Sequence, residues 1–398
     1  MKSKPRIAVI VPARNAMATL PACVDALMCS FCGADQIIIF DDGLNPGIGE
    51  FSKTDPISIV SNDGERVGAT RVRNAMRARN LAARQASADI LAFVDADVVV
   101  EKEALGRLVA ALESGPEIAA AFGCYDDAPR VRRLAALYAN LRHHWVHCHG
   151  DLEASTFWTG LGVVRADAFW ALDGFDETSA IDDVDFGIRL HAAGKRIKLV
   201  PEAQGTHLKD WRLLQLWKTD IADRAIPWSR LIANGARNDQ LNASPKERFS
   251  AILAYAVLIS LLASFGTPWF GLAAAAIFAG FYIFFNYGLF RLIGQRGGAR
   301  ALFAGITLHW LYHVYASAIF AAVQLMAKMR NVLAAVRRML IDKLNPLRVP
   351  TGWRQLVLSR SWLRRRSDIA TPLLPRTIRQ MRKTSFNISW GKVTDRGY

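Results

Sequence analysis

Two aspartates separated by one residue, Asp95 and Asp97, are the side chains whose spacing most directly suggests chemistry. They follow the apolar run 90–94, which has the composition of a buried strand. Side chains at positions i and i+2 of an extended chain point the same way, so the two carboxylates would repel each other unless a cation or a raised pKa relieved the repulsion. Magnesium and manganese prefer oxygen ligands, so either ion is a natural partner. The alternative is a solvated, aspartate-rich turn.

Strands and helices alternate around these aspartates. Apolar runs predict buried strands and longer runs with helical spacing predict helices, at residues 7–11, 36–40 and 90–94 for the strands and 16–28 and 70–86 for the helices. The alternation predicts an α/β fold with a mainly parallel sheet flanked by helices. Because ligands collect at the carboxyl ends of parallel strands, Pro12, Asn15 and Asp42 should lie near Asp95 and Asp97. A Rossmann dinucleotide site is disfavoured, since no Gly-x-Gly-x-x-Gly motif follows the first strand.

Several short motifs occur along the first half of the chain in a fixed order. They are Val-Pro-Ala-Arg-Asn-Ala at 11–16, Phe-Asp-Asp-Gly at 40–43, Ala-Arg-Asn at 78–80, Phe-Val-Asp-Ala-Asp at 93–97, Phe-Trp-Thr-Gly-Leu-Gly-Val-Val-Arg at 157–165 and Asp-Asp-Val-Asp-Phe-Gly-Ile-Arg-Leu at 182–190. In this order and spacing, the chain resembles the family 2 inverting glycosyltransferases with a GT-A fold over residues 5–230. The resemblance implies an enzyme that transfers a sugar from a nucleotide-diphosphate donor with the help of a divalent cation.

The resemblance also implies which residues bind the donor. Pro12 and Asn15 would line the nucleoside pocket, and Asp42 would accept a hydrogen bond from the base. Arg79 would lie near the base and the diphosphate, and Asp95 would approach the ribose.

Three side chains are the expected metal ligands. By the resemblance, Asp97 binds the cation that bridges the diphosphate, and Asp95 lies close to it. Val99 stands where lipid-phosphate glycosyltransferases of this family often carry a Gln, so another ligand is expected. His207 is the candidate because imidazole suits manganese, although a purely structural role is the alternative. The expected cation is manganese or magnesium.

Asp183 is the expected general base. It matches the second acidic position of the Glu-Asp motif of the family, with Asp182 in place of the Glu. In a single displacement, the acceptor hydroxyl loses its proton as it attacks the sugar from the face opposite the leaving group, and a positioned carboxylate can take that proton. The alternative for Asp183 is a helix N-cap, a role that Asp often fills.

Aromatic and basic residues further along the chain are candidates for binding the acceptor or a phosphate. Trp158 lies in the segment that resembles the acceptor side of the family, and Arg224 and Trp228 follow in a stretch rich in Trp, Lys and Arg. Such a stretch suits a helix in the lipid headgroup region. Arg224 could donate to two phosphate oxygens at once. Simple anchoring at the interface is the alternative for Arg224 and Trp228.

Two long segments predict membrane helices. Charged residues make up 21% of the chain, yet none occurs in 249–290 or in 301–327. About 20 apolar residues cross a bilayer as a helix, so these segments are long enough for two to three spans. The expected division is a catalytic domain at 1–205, an amphipathic interfacial linker at 206–247, transmembrane helices at 248–327 and a basic tail at 328–398.

The charge distribution and the N-terminus bear on location. The net charge is +15, and residues 328–398 carry 17 Lys or Arg against three Asp. Directly after apolar segments, a membrane surface is a simpler partner for this tail than nucleic acid. The first residues do not have the pattern of a signal peptide, and the five cysteines suggest no disulfide framework. An integral membrane protein with a cytoplasmic catalytic domain is therefore expected, in a bacterial inner membrane.

The predicted function is transfer of a single sugar to a hydroxyl or phosphate, on a lipid or lipid-linked acceptor. The Gln-x-x-Arg-Trp motif of processive polysaccharide synthases is lacking, which favours a single transfer. Two alternatives remain at this point. One is a nucleotidyltransferase acting on a sugar phosphate, which would release pyrophosphate. The other is a non-catalytic membrane adaptor.

Overall fold

The computed structural model describes residues 4–30, 33–41, 46–61, 71–179, 181–235 and 244–344. Asp42 and Cys32 lie outside these ranges. The chain divides into two compact units, residues 1–331 and 332–398. The sheet, the candidate site and the cavity described below all belong to the first unit.

Nine strands form one mixed sheet: β1 (Ile7–Ala13), β2 (Gln36–Asp41), β3 (Ile57–Ser61), β4 (Ile90–Val94), β5 (Val98–Val100), β6 (Ile118–Tyr125), β7 (Glu153–Ala154), β8 (Leu161–Arg165) and β9 (Arg196–His207). Their order is β3-β2-β1-β4-β8-β6-β9-β5, with β7 paired to β9. The neighbours from β3 to β4 are parallel, as predicted. Strand β8 is antiparallel to both β4 and β6, and β5 is antiparallel to β9.

The short connection between β4 and β5 explains part of the mixture of parallel and antiparallel strand pairs. Parallel neighbours need a crossover of a dozen or more residues, whereas only Asp95, Ala96 and Asp97 separate these two strands. Strand β5 therefore cannot continue the parallel set beside β4, and it pairs with the end of β9 instead. The aspartates lie in the turn itself, at the carboxyl end of β4.

Eleven helices are present in the described part of the chain: α1 (Leu20–Met28), α2 (Arg71–Gln85), α3 (Ala104–Glu113), α4 (Leu134–Cys148), α5 (Ala166–Trp170), α6 (Asp182–Ala192), α7 (Leu213–Lys218), α8 (Ile226–Ala233), α9 (Pro245–Ala263), α10 (Pro268–Phe285) and α11 (Tyr287–Leu344). A short 3-10 helix spans Ile48–Lys53, and a π-helical segment, Thr219–Ala225, joins α7 to α8. Helix α11 is interrupted at Gly298, whose φ of 74° is left-handed.

The sheet has an apolar layer on each face. One layer contains α1, α3 and alternate residues of β1 such as Val9 and Val11. The other contains Ala8 and Ile10 together with a cluster of aromatic rings, Phe93, Phe122, Phe157, Phe169, Phe175 and Phe186. The alternation along β1 is the period of two that a strand buried on both faces requires. These layers hold the carboxyl ends of the strands in fixed positions.

The helices after residue 244 carry large apolar surfaces. Within the described residues, Pro268–Phe285 and Tyr287–Leu340 are long and apolar enough to cross a membrane. Trp269 and Phe270 are 85% and 83% exposed. The turn between α9 and α10 lies between Ala263 and Pro268. A third apolar core joins these helices to α4 and Trp211.

Candidate active site

Asp97 and His207 face each other at the carboxyl end of the sheet. Strand β5 starts directly after Asp97, and its pairing with β9 places His207 opposite Val98. The Asp97 carbonyl accepts a hydrogen bond from the Leu208 N–H at 2.8 Å, which closes the corner. Asp97 Oδ2 then lies 3.5 Å from His207 Nε2. The structure therefore brings together two of the three predicted metal ligands.

The His207 ring is held by two neighbours. Its Nδ1 lies 2.6 Å from Asn140 Oδ1 and donates a proton to that oxygen, so Nε2 faces Asp97. The Tyr125 ring stacks on the imidazole at 4.2 Å and 6°. Burial raises the pKa of Asp97, but the hydrogen bond with His207 and the charges of His207 and Lys209 outweigh it, so the pKa is lowered. Asp97 is thus ionised at neutral pH.

Asp95 interacts with a different partner. Arg79 of α2 is almost fully buried, and its Nη2 donates to Asp95 Oδ1 at 2.8 Å. The compact three-ligand groups in the described part of the chain lie elsewhere, so Asp95 does not join Asp97 and His207 in one close cluster. Pro12 is half-buried and Asn15 is exposed at the end of β1, where Asn15 adopts a left-handed φ of 52°. The Asp42 prediction lies outside the described residues.

Asp183 lies on the wall of a cavity of about 670 Å³. The predicted acceptor residues Trp158, Arg224 and Trp228 line the same cavity. Asp183 is the second residue of α6; the N-cap position belongs to Ile181, and Asp183 Oδ1 accepts from the Val184 N–H at 2.8 Å. Four candidates that are scattered along the sequence therefore share one space.

Glycine allows the close packing that places these side chains. At Gly187, one turn after Asp183, a Cβ would collide with the backbone of Thr156 and Phe157, so only glycine lets α6 approach that segment. At Gly160, a Cβ would collide with the Trp158 indole. Both positions require a residue without a side chain because the opposing groups are backbone or a rigid ring.

A buried carboxylate, Asp220, joins three parts of the chain. Arg142 of α4 donates to Asp220 Oδ1 and Oδ2 at 3.0 and 3.2 Å, and Arg224 donates to Oδ1 at 3.0 Å. Tyr315 of α11 donates to Oδ2 at 2.8 Å. Burial raises the pKa of Asp220, but the charges of Arg142 and Arg224 outweigh this effect, so the pKa is lowered. Arg142 and Arg224 are thus both held beside the cavity by one carboxylate.

Three buried polar atoms on the cavity wall have no hydrogen-bond partner among the described residues. They are Trp228 Nε1, Thr156 Oγ1 and His143 Nδ1. Burial lowers the pKa of His143 well below its usual value, so this imidazole is neutral. Buried polar groups are nearly always hydrogen-bonded to protein or water, so these atoms are available to bond water or a ligand in the cavity.

Tyr125 connects the two parts of the site. Its ring stacks on His207, contacts His143 at 4.3 Å and meets Trp158 edge-on at 4.9 Å. Burial raises the pKa of Tyr125 well above its usual value, and the nearby carboxylates of Asp97 and Asp95 raise it further. The phenol therefore stays protonated between the carboxylate corner and the cavity.

Replacing Asp220 by Asn is expected to destabilise the protein. The buried Arg142 guanidinium would lose its counter-charge, and removing one partner of a buried ion pair costs about 3–5 kcal/mol. The folded-state pKa of Asp220 is lowered, so its contribution is present at neutral pH and is lost only as the pH falls through that value. Thermal unfolding in detergent at pH 7 would show a lower midpoint.

Asp223→Asn, in the same π-helical segment, is the matched control and should leave the midpoint nearly unchanged. The double variant Asp220→Asn with Arg142→Gln should recover part of the loss, because the unpaired buried charge is then gone. A double variant that loses the sum of the two single effects would show that the pairing contributes nothing.

Two family comparisons cover most of the chain. Residues 8–170 match the family described as Glycosyl transferase family 2. Residues 90–329, more than half of the chain, match Glycosyl transferase family group 2. The chain belongs to the family 2 glycosyltransferases. Membership of this family confirms the resemblance that the motifs indicated.

Individual relatives of this glycosyltransferase are distant. The probable glycosyltransferase YdaM of Bacillus subtilis (strain 168) is 24% identical over 216 residues, 51% of this chain and 50% of the relative. The chain thus spans about half the length of that curated relative. The mannosyltransferase PcManGT from Pyrobaculum calidifontis, solved in complex with GDP-Man and Mn²⁺, is 19% identical with a TM-score of 0.47, over 83% of this chain and 87% of that one. Glucosyl-3-phosphoglycerate synthase from Mycobacterium tuberculosis is 19% identical with a TM-score of 0.42, over 59% of this chain and 81% of that one.

Several residues of the candidate site could not be predicted from the sequence. Arg142, Asn140 and His143 lie on α4, which carries no motif of the family, and Tyr125 ends β6. Asp220 did have a signal, because an acid four residues before Arg224 on a helical segment predicts an ion pair.

Proposed function

We propose that this glycosyltransferase is membrane-bound and moves a single sugar, with inversion, from a nucleotide-diphosphate sugar to a lipid or lipid-linked acceptor. The observation that carries the proposal is the cavity of about 670 Å³, which is lined both by Asp183 and by residues of α11, such as Tyr312 and Phe320. Helix α11 includes one of the two segments that are apolar and long enough to cross a membrane. An acceptor whose tail lies among these helices can present its reacting group to Asp183.

The donor is proposed to bind at the carboxylate corner. Pro12 at the end of β1, Asn15 just after it and Asp42, the next residue in the sequence after β2, would contact the nucleoside, and Arg79 would approach the diphosphate. Asp95 would approach the ribose, held by its bond to Arg79 at 2.8 Å. The Arg79 guanidinium can donate to phosphate oxygens, because a guanidinium group binds two such oxygens at once.

Asp97 and His207 are proposed to hold a manganese or magnesium ion, whereas Asp95, the third expected ligand, bonds to Arg79. The donor set fits, because carboxylate oxygens and imidazole nitrogens suit manganese. The two atoms that would hold the ion, Asp97 Oδ2 and His207 Nε2, lie 3.5 Å apart. Such an ion neutralises the negative charge that develops on the leaving diphosphate.

Asp183 is proposed to take the proton of the acceptor hydroxyl. Trp158 forms an aromatic wall of the same cavity, and the Trp228 indole N–H can donate to an oxygen of the acceptor. Arg224, anchored by Asp220, can bind an anionic group on the acceptor. The sugar would move in one displacement from the opposite face, so its anomeric configuration would invert.

A transfer assay tests the proposal. The detergent-solubilised full chain is incubated with manganese, labelled nucleotide sugars and a bacterial lipid extract. The expected result is label in a lipid product, with release of nucleoside diphosphate and an inverted anomeric centre by NMR. Label found only in a water-soluble product would contradict the lipid acceptor, and a retained anomeric centre would contradict the single displacement.

The proposed location is a bacterial inner membrane with the catalytic domain in the cytoplasm. Cys29 is exposed at the end of α1, so it reports on the side of this domain. A membrane-impermeant maleimide should label Cys29 in inverted vesicles and not in intact cells. Labelling in intact cells would place the domain outside.

Replacing Asn140 by Leu is expected to weaken manganese binding. The substitution removes the oxygen that accepts from His207 Nδ1, so the ring loses its fixed proton and orientation. Partners of this kind typically contribute about 10- to 100-fold in metal affinity. Titration of the purified chain with manganese, followed by electron paramagnetic resonance, measures the change. Asn140→Asp keeps an oxygen acceptor and should retain most of the affinity; equal affinities in the wild type and the Leu variant would contradict the role.

A further inference from the structure

Two thiols that are distant in the sequence meet beside the site. Cys124 is the last residue but one of β6, and Cys148 ends α4. Their Sγ atoms lie 2.7 Å apart. Cys124 is fully buried, whereas Cys148 is half-buried and can meet small solutes. Nothing in the proposed transfer reaction uses either thiol.

A metal site is the first alternative, because His144 lies close to the pair. The ring atom nearest to Cys148 is Nδ1, at 3.5 Å, but Nδ1 lies 2.7 Å from the Tyr125 carbonyl, to which it donates its proton. It is therefore not a ligand atom in this arrangement. Two thiolates on a tetrahedral zinc ion, with bonds of about 2.3 Å, hold their sulfurs about 3.8 Å apart. The observed separation is much closer to the distance at which the sulfurs bond to each other.

The surroundings favour a reactive Cys148. The hydrogen bond from Cys124 lowers the pKa of the Cys148 thiol; partial burial opposes this shift, and His144 adds to it. The same hydrogen bond, together with burial, raises the pKa of Cys124. A thiolate is the nucleophilic form of cysteine, so the accessible member of the pair is the one prepared to react.

We propose that Cys124 and Cys148 are an oxidation site that forms a reversible intramolecular disulfide with hydrogen peroxide. The Cys148 thiolate attacks the peroxide, the O–O bond breaks, and a sulfenic acid forms with release of hydroxide, which takes up the proton that Cys148 gave to solvent. The Cys124 sulfur then attacks the Cys148 sulfur, the S–O bond breaks, and the Cys124 proton leaves with the hydroxide as water. Two thiols are oxidised by two electrons, and one peroxide is reduced to two waters.

The bond would join β6 to α4 next to residues of the site. Cys124 precedes Tyr125, which stacks on His207, and α4 carries Asn140 and Arg142. Oxidation would thus lock the wall between the carboxylate corner and the cavity. Disulfides in reducing compartments are usually transient or redox-sensing. A reductant can reach the proposed bond through Cys148, which is half-buried.

Peptide mapping of the full detergent-solubilised chain tests the proposal. Trypsin should place Cys124 in the peptide 108–130 and Cys148 in the peptide 143–165. After brief treatment with hydrogen peroxide and alkylation of the remaining thiols, the two peptides should appear as one linked species that lacks two hydrogen atoms. Dithiothreitol should separate them and restore both alkylation sites.

Cys148→Ser and Cys23→Ser are the matched variants. The first should abolish the linked species, and the second should leave it unchanged, because Cys23 lies in α1 away from the pair. Full alkylation of Cys124 and Cys148 after peroxide treatment would overturn the proposal. So would about one zinc ion per chain that protects both thiols in the wild type and is lost in Cys148→Ser. Neither readout depends on the transfer reaction, so this test and the test of the proposed function fail separately.

Discussion

Asp183→Asn is expected to lower the rate of sugar transfer by about 10²–10⁴-fold, the usual contribution of a positioned general base. The amide has the shape of the carboxylate and can still accept from the Val184 N–H, but it cannot take a proton. Donor binding should change little, because Asp183 lies on the cavity wall rather than at the carboxylate corner. Single-turnover kinetics with a saturating donor, beside calorimetric titration of that donor, separate the two effects.

Asp185→Asn is the control on the same helix. Asp185 bonds Arg189 at 2.7 Å and does not line the cavity, so its replacement should leave the rate nearly unchanged. A rate for Asp183→Asn within a few-fold of the wild type would contradict the base. In that case a phosphate acceptor becomes the better hypothesis, because an anionic oxygen needs no base to attack.

Asp97→Asn is expected to abolish metal-dependent donor binding. Asp97 is the proposed ionised oxygen ligand that faces His207 Nε2 at 3.5 Å, and an amide oxygen carries no charge to hold the cation. Loss of a group that only orients a ligand already costs about 10–100-fold in metal affinity, so loss of the ligand should cost more than about 100-fold. Calorimetric titration with a panel of nucleotide sugars, with and without manganese, measures the difference.

Asp89→Asn is the matched control for this measurement. Asp89 precedes the same strand, β4, but at the opposite edge of the sheet, where it accepts from the Arg6 N–H at 2.9 Å. Its replacement should leave manganese-dependent binding intact. Equal donor affinities for Asp97→Asn and the wild type, both dependent on manganese, would show that the cation binds elsewhere.

The position of the two aspartates at the end of β4 could be predicted well from the sequence. Strand β4 occupies the predicted residues, and its carboxyl end does present Asp95 and Asp97, because a run of five buried apolar residues leaves little choice of structure. The pairing of His207 with that corner depends on β9 meeting β5 in antiparallel register. No local sequence pattern encodes that register. The prediction of His207 as a ligand therefore rested on the family resemblance and on the affinity of imidazole for manganese.

The cavity could be predicted only in part. Asp183, Trp158, Arg224 and Trp228 each had a local signal, and the structure places them around one space. Arg142 and the Cys124–Cys148 pair had none. Their partners lie 78 and 24 residues away, and such contacts depend on how α4 packs on β6 and beside α11. Long-range packing of this kind leaves no periodic trace in one sequence.

The bond from Tyr315 to Asp220 bears on how such a protein can be divided or recombined. Helices α9 and α11 supply Arg248, Tyr312 and His313 to the same cavity wall as Asp183, so they are more than an attachment to the lipid. A catalytic half grafted onto foreign membrane helices would keep its sheet and lose part of its substrate enclosure. The catalytic domain and the C-terminal helices therefore cannot be exchanged independently. A substitution in one of them is expected to favour a compensating substitution in the other.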